Sequence, residues 1–316
     1  MSVYTELTHK NISLILESYN LGPLKSFEGI AAGIENSNFF IDTEQGRFVL
    51  TIFERMNAHE LPYFMHLMRH LAAEGLACPD VMKRHDGSLL FEVKGHEQSK
   101  SGCIASRLHG NTLDSLNEIQ LHASGQALAQ LHLAGASFDE LRSNPTDMDW
   151  LKNHVGKVLQ GTTTTYGDMA GELLQDELRY QRKQLWHDLP EGIIHGDLFV
   201  DNILFDGDKV SGIIDFYYAH NAPWIMDIAI TLNAQAMLLT DTDQDRMQTF
   251  LAGYEILRPL QENERLALPA LLRLGALRFW VSRLYDALFP RDGAMTQTKD
   301  PEEYRLKLLS HRKRWR

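Results

Sequence analysis

The chain has 316 residues, of which 44% are hydrophobic and 23% are charged, as is typical of a soluble globular protein long enough for two domains. Its formal net charge of −11 disfavours general binding to the phosphates of nucleic acids. The two cysteines, Cys78 and Cys103, exclude a disulfide framework or a Cys-x-x-Cys zinc site, so we expect both to be small buried side chains.

The N-terminal residues and the longest uncharged stretch lack the features of membrane signals. The first twelve residues carry charges and no apolar core, unlike a secretory signal. The stretch 119–138 has no charged residue, but its histidines, serines and glutamines make it too polar for a membrane span. We therefore expect a cytoplasmic protein.

The first hundred residues predict a small sheet with one helix. Strand-like runs of aromatic and β-branched residues occur at 25–33, 37–42, 47–53, 88–93 and 102–108. A turn at 44–46 joins the second and third runs as a hairpin. Residues 60–74 have apolar side chains at helical spacing and precede Gly75, a residue type that often ends helices. The predicted order is β-β-β-α-β-β.

Beyond residue 110 helical patterns dominate. Apolar residues recur at helical spacing over 116–133, 168–186, 224–239, 243–257 and 262–288. The runs 202–205 and 210–214 flank Asp206-Gly207-Asp208 and predict a hairpin. The threonines at 162–165 predict a polar loop. The stretch 305–316 has six Lys or Arg and no acid, which favours a solvated helix end over a binding patch.

These patterns together predict an α+β fold with two lobes. A small, sheet-rich N-terminal lobe spans residues 1–109, and a larger, mostly helical C-terminal lobe spans residues 110–316. A hinge is expected near 106–110.

The segments 193–205 and 213–216 place acidic and amide side chains directly after apolar runs. Phosphoryl transfer needs an oriented acceptor hydroxyl and cations on the phosphate oxygens. Asp197 can take or orient the hydroxyl proton, and Asn202, five residues later, can give an oxygen ligand to Mg²⁺. Asp215 can supply the carboxylate that holds this ion at the phosphates. We expect His195 to act by holding the loop in shape.

Other polar residues have simpler interpretations. Asp201 either caps the loop or faces the substrate, and the sequence leaves both alternatives open. Asp206 and Asp208 are predicted turn residues, because no twelve-residue calcium loop follows them. His66 and His70 share a helix face without a third ligand nearby, which favours a structural role. The sequence contains no Walker-type loop, no Gly-x-Ser-x-Gly elbow and no His-Glu-x-x-His motif.

The combination of His195-Gly196-Asp197 with Asn202 and Asp215-Phe216 resembles the catalytic signature of the aminoglycoside phosphotransferase-like kinases. That family is a branch of the protein-kinase-like fold that acts on small molecules. Residues 224–229 are similar to its Trp-x-x-Asp-[Ile/Leu]-Ala segment, whose aspartate, here Asp227, is mainly structural. The resemblance spans nearly the whole chain and implies a β-rich lobe followed by a helical lobe.

Within this branch the segments 33–40, 48–54 and 215–219 resemble the bacterial homoserine kinases of this fold. The resemblance implies phosphorylation of the side-chain hydroxyl of L-homoserine, a step towards threonine, with ATP and Mg²⁺ as cofactors. It implies small-molecule partners, without nucleic acid or membrane. Kinases of choline, methylthioribose, hydroxylysine and aminoglycosides share the same loop, and the fold alone does not choose among these acceptors.

One position departs from the family pattern. The third-strand lysine of kinases, which pairs with ATP phosphates, is replaced by the uncharged Thr51. The glycine-rich loop before it keeps only Gly29 and Gly33. A nucleotide-binding pseudokinase that acts as a scaffold is one account of this departure. The intact catalytic and metal-binding residue types favour an active kinase.

The resemblance also implies where ATP binds. Backbone amides of the turn at 33–37, with a base such as Arg55, can hold phosphate without the lysine. The adenine is expected at the hinge, against the backbone of Ser106, Arg107 and Leu108. The predicted cofactor-binding residues are accordingly Gly33, Asn36, Ser37, Thr51, Ser106 and Leu108.

An amino-acid acceptor needs a cationic side chain for its carboxylate and an acid or carbonyl for its ammonium group. The candidates for contact with the acceptor are Asp201, Tyr217, Tyr218 and Trp224. Arg278 and Arg283 are further candidates. They lie with Arg273 and Trp280 along one predicted helix, where exterior salt bridges or lobe packing are expected.

Overall fold

The computed structural model describes residues 5–30, 36–94, 99–165, 168–184, 187–290 and 299–315. The chain falls into two units. Unit 1 contains the described residues up to Gly110 together with Ser211–Ile214, and unit 2 contains Asn111–Val210 and the described residues from Asp215 onward. None of the described helices combines the length and apolar character that crossing a membrane requires.

Unit 1 is built on a five-stranded antiparallel sheet in the order β1-β2-β3-β5-β4. Its strands are β1 Leu24–Gly29, β2 Asn36–Thr43, β3 Arg47–Phe53, β4 Phe91–Lys94 and β5 Ser99–Ser106. Helix α1 (His9–Leu16) precedes the sheet, and α2 (Leu61–Ala73) lies between β3 and β4 in the chain. Ile12 of α1 is buried in one apolar cluster with Ile41 and Leu50, so this helix covers one face of the sheet.

The β-β-β-α-β-β prediction is confirmed for unit 1, with differences at the ends of the elements. Strand β3 has the predicted bounds. Strand β4 begins three residues later than predicted, because Ser88 is held in a turn in which its backbone N–H donates to Asp86 Oδ1 at 2.9 Å. Strand β5 begins and ends earlier than predicted. Both cysteines are buried and free, as expected.

Unit 2 consists mainly of helices. They are α3 Glu118–Gly135, α4 Met148–Thr165, α5 Asp168–Gln181, α6 Trp224–Thr231, α7 Asp243–Glu255, α8 Glu262–Leu288 and α9 Pro301–Arg314. Two short strands, β6 Glu191–Ile194 and β9 His220–Pro223, pair antiparallel. Strands β7 Ile203–Asp206 and β8 Lys209–Ile213 form the predicted hairpin. Helix α8 has its predicted bounds and lies at the centre of the apolar core, where Trp280 and Leu284 are buried.

The predictions for residues 162–165 and 224–239 are wrong. The threonines at 162–165 belong to α4 and not to a loop, because Leu151 and Val158 on the same helix pack in the core formed with α8. The helix predicted over 224–239 passes after Thr231 into a π-helical turn, Leu232–Ala236. It ends there because the Arg246 guanidinium binds the last carbonyl groups, those of Gln235 and Ala236.

The basic C-terminal stretch was predicted to be a solvated helix end, and this is wrong for one face of α9. Tyr304, Leu308 and His311 are buried in unit 2. The Nε2–H of His311 donates to Asn233 Oδ1 at 2.8 Å, while its Nδ1 has no hydrogen-bond partner among the described residues. Burial lowers the pKa of His311 to about 3, so the ring stays neutral in the folded protein.

His311 therefore makes folding stability depend on pH. In the unfolded chain the imidazole takes up a proton below about pH 6.5, whereas the folded protein does so only near pH 3. We expect His311 to remove about 2 kcal/mol of stability as the pH falls from about 7 to 5. Urea unfolding of the wild type and of His311→Gln at both pH values measures this. Equal pH dependence in the two proteins would contradict it.

Candidate active site

The segment that follows β6 forms the loop with the candidate catalytic residues. Ile194 at the end of β6 pairs with His220 of β9, and the chain turns directly afterwards at Gly196. Gly196 has a φ of +76°, and a Cβ placed there would lie 3.0 Å from the carbonyl oxygen of Tyr218. Glycine is therefore required at this turn, because a side chain would be strained and obstructed.

The buried carboxylate of Asp227 fixes this loop. The backbone N–H of His195 donates to its Oδ2 at 2.7 Å, and that of Gly196 donates to its Oδ1 at 2.9 Å. The ring of His132 also bonds Oδ2, through Nε2 at 3.1 Å, and its Nδ1 lies 2.7 Å from the hydroxyl of Tyr254. These bonds lower the pKa of Asp227 although burial opposes them. Asp227 thus fixes the backbone of the loop at His195 and Gly196.

His195 and Asn202 shape the loop around Asp197. The backbone N–H of Asp197 donates to His195 Nδ1 at 3.3 Å. The Nδ2 group of Asn202 donates to the backbone oxygen of Asp197 at 2.8 Å and lies 3.5 Å from its carboxylate Oδ2. With Nδ2 engaged in this way, Oδ1 of Asn202 is the atom suited to a cation. The roles assigned to the three residues stay predictions.

Asp215 has an unusual backbone conformation. Its φ of 65° and ψ of 61° lie in the left-handed region, where residues other than glycine are uncommon. Such conformations cost free energy and occur most often where function requires a particular side-chain direction. The residue is exposed and directly precedes the short 3₁₀ helix Phe216–Tyr218, whose first residue is fully buried.

Several charged side chains of unit 2 affect the pKa of Asp197. Burial raises the pKa of Asp197 to about 8, Arg278 opposes this shift, and the carboxylates of Asp215 and Asp201 add to it. Asp197 and Asp215 are therefore close enough to repel each other. Two carboxylates and an amide oxygen are hard ligands suited to Mg²⁺, and a divalent cation would relieve this repulsion. The residues present fit a magnesium ion.

Three of the candidates for acceptor contact, Asp201, Tyr217 and Trp224, have different surroundings. Asp201 is exposed, and its Oδ2 pairs with Lys299 Nζ at 3.2 Å. Tyr217 is half-buried in the 3₁₀ helix after Asp215. The Trp224 ring stacks on His132 at 5.7 Å between ring centroids, and the guanidinium of Arg258 lies 4.5 Å from its centroid. Trp224 therefore packs with the residues that support Asp227, and the three acceptor contacts stay predictions.

In unit 1, Thr51, the residue predicted to replace the kinase lysine, lies on β3. Its hydroxyl donates to Asn38 Oδ1 at 2.7 Å, across the β2–β3 pair. Lys100 on β5 does not replace the missing charge at this site. Thr51 is paired with Cys103, and since side chains alternate along a strand, Lys100 lies on the opposite face of the sheet. There it forms an ion pair with Glu54.

The other predicted cofactor-binding residues are also in unit 1. Ser37 donates its hydroxyl to Glu54 Oε1 at 2.5 Å, and Asn36 begins β2, while Gly33 lies outside the described residues. At the predicted adenine site, the backbone N–H of Ser106 donates to Asp80 O at 2.9 Å.

The next amide at the predicted adenine site, that of Arg107, donates to Arg47 O at 3.1 Å. The N–H of Leu108 has no acceptor among the described residues. Leu108 is therefore the residue of this segment with a backbone donor available to a base edge.

The arginines of α8 were expected to form exterior salt bridges or to pack between elements. The exterior placement is wrong, because Arg273, Arg278 and Arg283 are all buried. Two of them form salt bridges: Arg273 with Glu177 and Arg283 with Glu303. No sequence pattern distinguishes Arg278 from these two, because all three lie on one amphipathic helix.

The antiparallel sheet of unit 1 and the helical unit 2 with its acidic loop define a kinase-like phosphotransferase. A model of the phosphotransferase enzyme family matches residues 26–266, and the chain belongs to this family. The predicted α+β, protein-kinase-like fold is confirmed by a solved structure of an amicoumacin kinase in complex with AMP-PNP and Ca²⁺. Its TM-score is 0.70 at 16% sequence identity, and the match covers 96% of this chain and 91% of that one.

Curated relatives match nearly the whole chain. The homoserine kinase of Methylobacillus flagellatus is 40% identical over 312 residues, which cover 98% of this chain and 95% of that protein. The homoserine kinase of Neisseria meningitidis serogroup B is 40% identical over 311 residues, with coverage of 98% and 99%. The predicted resemblance is thereby confirmed, and the chain is an enzyme of the phosphotransferase class.

Proposed function

We propose that the chain is an ATP-dependent kinase that phosphorylates the side-chain hydroxyl of L-homoserine. The observation that carries the acceptor is its 40% identity, over nearly the full length, to relatives named homoserine kinases. The arrangement of Asp197, Asn202 and Asp215 supports phosphoryl transfer as the reaction.

In this reaction the acceptor hydroxyl oxygen forms a bond to the γ-phosphorus, and the bond from that phosphorus to the β,γ-bridging oxygen breaks to release ADP. Asp197 takes or orients the hydroxyl proton. His195 and Asp227 act through the loop, which they hold in one conformation.

The cofactors follow from the same residues. Asn202 and Asp215 would hold Mg²⁺, which supplies positive charge to the phosphate oxygens when it is bound. In unit 1 the Leu108 N–H would bind the adenine edge. Arg55 is exposed and forms no ion pair with another described residue, so it is available to an anion in place of the lysine absent at Thr51.

Measuring ADP release across a panel of acceptors tests this function. The purified protein with Mg-ATP is given L-homoserine, choline, methylthioribose, hydroxylysine or an aminoglycoside, with a blank that lacks acceptor. We expect release with L-homoserine to exceed the blank by at least about 10²-fold, because acceptor binding orients the hydroxyl for attack. Excess EDTA should return the rate to the blank.

The other outcomes each identify an alternative. Release with a different acceptor would keep the phosphotransferase chemistry and overturn the choice of L-homoserine. A folded protein that binds ATP without acceptor-dependent ADP release would favour the pseudokinase, for which the uncharged Thr51 is the motivating observation. Full activity in excess EDTA would overturn the metal assignment.

A further inference from the structure

Among the described residues of unit 2, four arginines are buried, and three of them are neutralised by a carboxylate. Arg258 pairs with Glu264, Arg273 with Glu177 and Arg283 with Glu303, at N···O distances of 2.9, 2.6 and 2.7 Å. The fourth, Arg278, is 7% exposed and has no carboxylate within ion-pair distance among the described residues. This difference separates Arg278 from arginines with otherwise similar placement.

The direct contacts of Arg278 include no carboxylate among the described residues. Its Nη2 donates to the carbonyl oxygen of Gly196 at 3.1 Å, and the guanidinium lies 4.3 Å from the ring centroid of Phe279. No second hydrogen-bond acceptor contacts it in the part of the chain that is described. Its Nε and Nη1 donate to no acceptor among the described residues. A buried charge of this kind costs free energy unless a ligand compensates it.

The location of Arg278 connects it to the reacting group. The carbonyl that it binds belongs to Gly196, the residue directly before Asp197. Burial lowers the pKa of Arg278, and the charge of Asp197 opposes that shift, so the two groups are near each other. An anion held by the guanidinium would therefore lie close to the acceptor hydroxyl that Asp197 orients.

We propose that Arg278 binds the carboxylate of the acceptor and selects for amino-acid alcohols; this rests on the proposed function. A guanidinium matches a carboxylate with two parallel hydrogen bonds, and the Nε and Nη1 donors of Arg278 are not used by any described residue. The same buried cation would repel acceptors that carry only positive groups, such as choline or an aminoglycoside. Arg278 would thus set specificity as well as affinity.

The wild-type enzyme provides the first test. 3-Amino-1-propanol is L-homoserine without its carboxylate, and it keeps the hydroxyl and the amine. We expect kcat/KM for L-homoserine to exceed that for 3-amino-1-propanol by at least about 10²-fold, because the analogue leaves the guanidinium unpaired. A ratio near one would overturn the inference without any mutation.

The second test is Arg278→Met, which keeps the length of the side chain and removes its charge. It should lower kcat/KM for L-homoserine by about 10²-fold or more. The loss with 3-amino-1-propanol should be at least about tenfold smaller, because it contains only the effects on the Gly196 carbonyl and on Asp197 that both acceptors share. KM for ATP should stay unchanged. Removal of a buried charge that has no ion-pair partner should leave the unfolding temperature of the free enzyme unchanged or higher. Arg265→Met is the matched control, because Arg265 is an exposed residue of the same helix that pairs with Glu255.

The remaining outcomes would each contradict the role proposed for Arg278. Equal losses with both acceptors, together with a lower unfolding temperature, would show that Arg278 only supports the loop. A raised KM for ATP alone would show that it binds nucleotide phosphate instead.

If the wild type uses hydroxylysine in place of L-homoserine, the proposed function fails, and this inference is tested with hydroxylysine and its decarboxylated analogue. If it uses an acceptor without a carboxylate, or none of the panel, the proposed function and the inference about Arg278 both fail.

Discussion

Asp197→Asn lowers kcat by about 10²- to 10⁴-fold, the range that a positioned general base contributes. Asparagine has nearly the same shape as aspartate but cannot accept the hydroxyl proton. The backbone bonds of residue 197 to His195 and Asn202 do not involve the carboxylate, so the loop should keep its conformation. Steady-state kinetics with L-homoserine and Mg-ATP measure the loss, and calorimetric titration with a non-hydrolysable ATP analogue checks that the nucleotide still binds.

Asp208→Asn is the matched control for this experiment. Asp208 is an exposed residue in the turn between β7 and β8, within a few residues of the same loop. Its replacement removes one negative charge without touching Asp197, so kcat should stay within about twofold of the wild type. Near wild-type turnover in Asp197→Asn would remove the assignment of Asp197 as the base, whatever the acceptor.

Asp227→Ala lowers the free energy of unfolding of unit 2 by about 3–5 kcal/mol, as expected when one partner of a buried charged network is removed. The substitution takes the acceptor from the backbone N–H groups of His195 and Gly196 and from the ring of His132. All three donors are in buried residues, where water does not replace the lost bonds. Chemical denaturation followed by circular dichroism measures the change.

Asp241→Ala serves as the comparison for Asp227, since Asp241 is an exposed aspartate of the same unit. Its replacement should change stability by less than about 0.5 kcal/mol. Asp227→Asn keeps one acceptor oxygen, so its loss of stability should lie between those of Asp227→Ala and Asp241→Ala. If Asp227→Ala retained wild-type stability and lost only activity, the aspartate would act in the reaction and not as a support for the loop.

The elements that the sequence predicted best are those with a clear local pattern. Strand β3 and helix α8 have the predicted bounds, because the alternation of β3 and the helical spacing of α8 each coincide with burial in the core. Helix α1 was missed although Thr8 and Asn11 form a capping box at its start. The signal was weak, because asparagine stands where glutamate or glutamine usually completes this motif.

Helix α4 shows the limit of local propensity. Its last turn consists of threonines, whose β-branched side chains are poor helix formers, and they therefore predicted a loop. The helix forms because its apolar face, with Val155 and Val158, is buried against the core residues of α8. Packing between elements that are distant in the chain outweighed the preference of the residues themselves.

The candidate site shows the same contrast between local sequence patterns and packing of distant elements. Asp197, Asn202 and Asp215 could be named from the sequence, because their spacing within one short stretch carries the family signature. The structure adds the supports of that stretch, above all His132, which is 95 residues from its partner Asp227. No local pattern marks such a pair, since the two residues meet only when α3 and α6 have folded around the loop.

The sequence by itself determined the class of fold, the family and the residues with the chemistry of phosphoryl transfer, because each depends on residue types at short spacings. Only the tertiary structure decided which of the similar arginines on α8 has no ion-pair partner among the described residues. Arg273 and Arg283 meet carboxylates from other parts of the chain, whereas Arg278 faces the loop before Asp197. The physical reason is that charge compensation depends on neighbours in space, and these are brought together by packing rather than by position in the sequence.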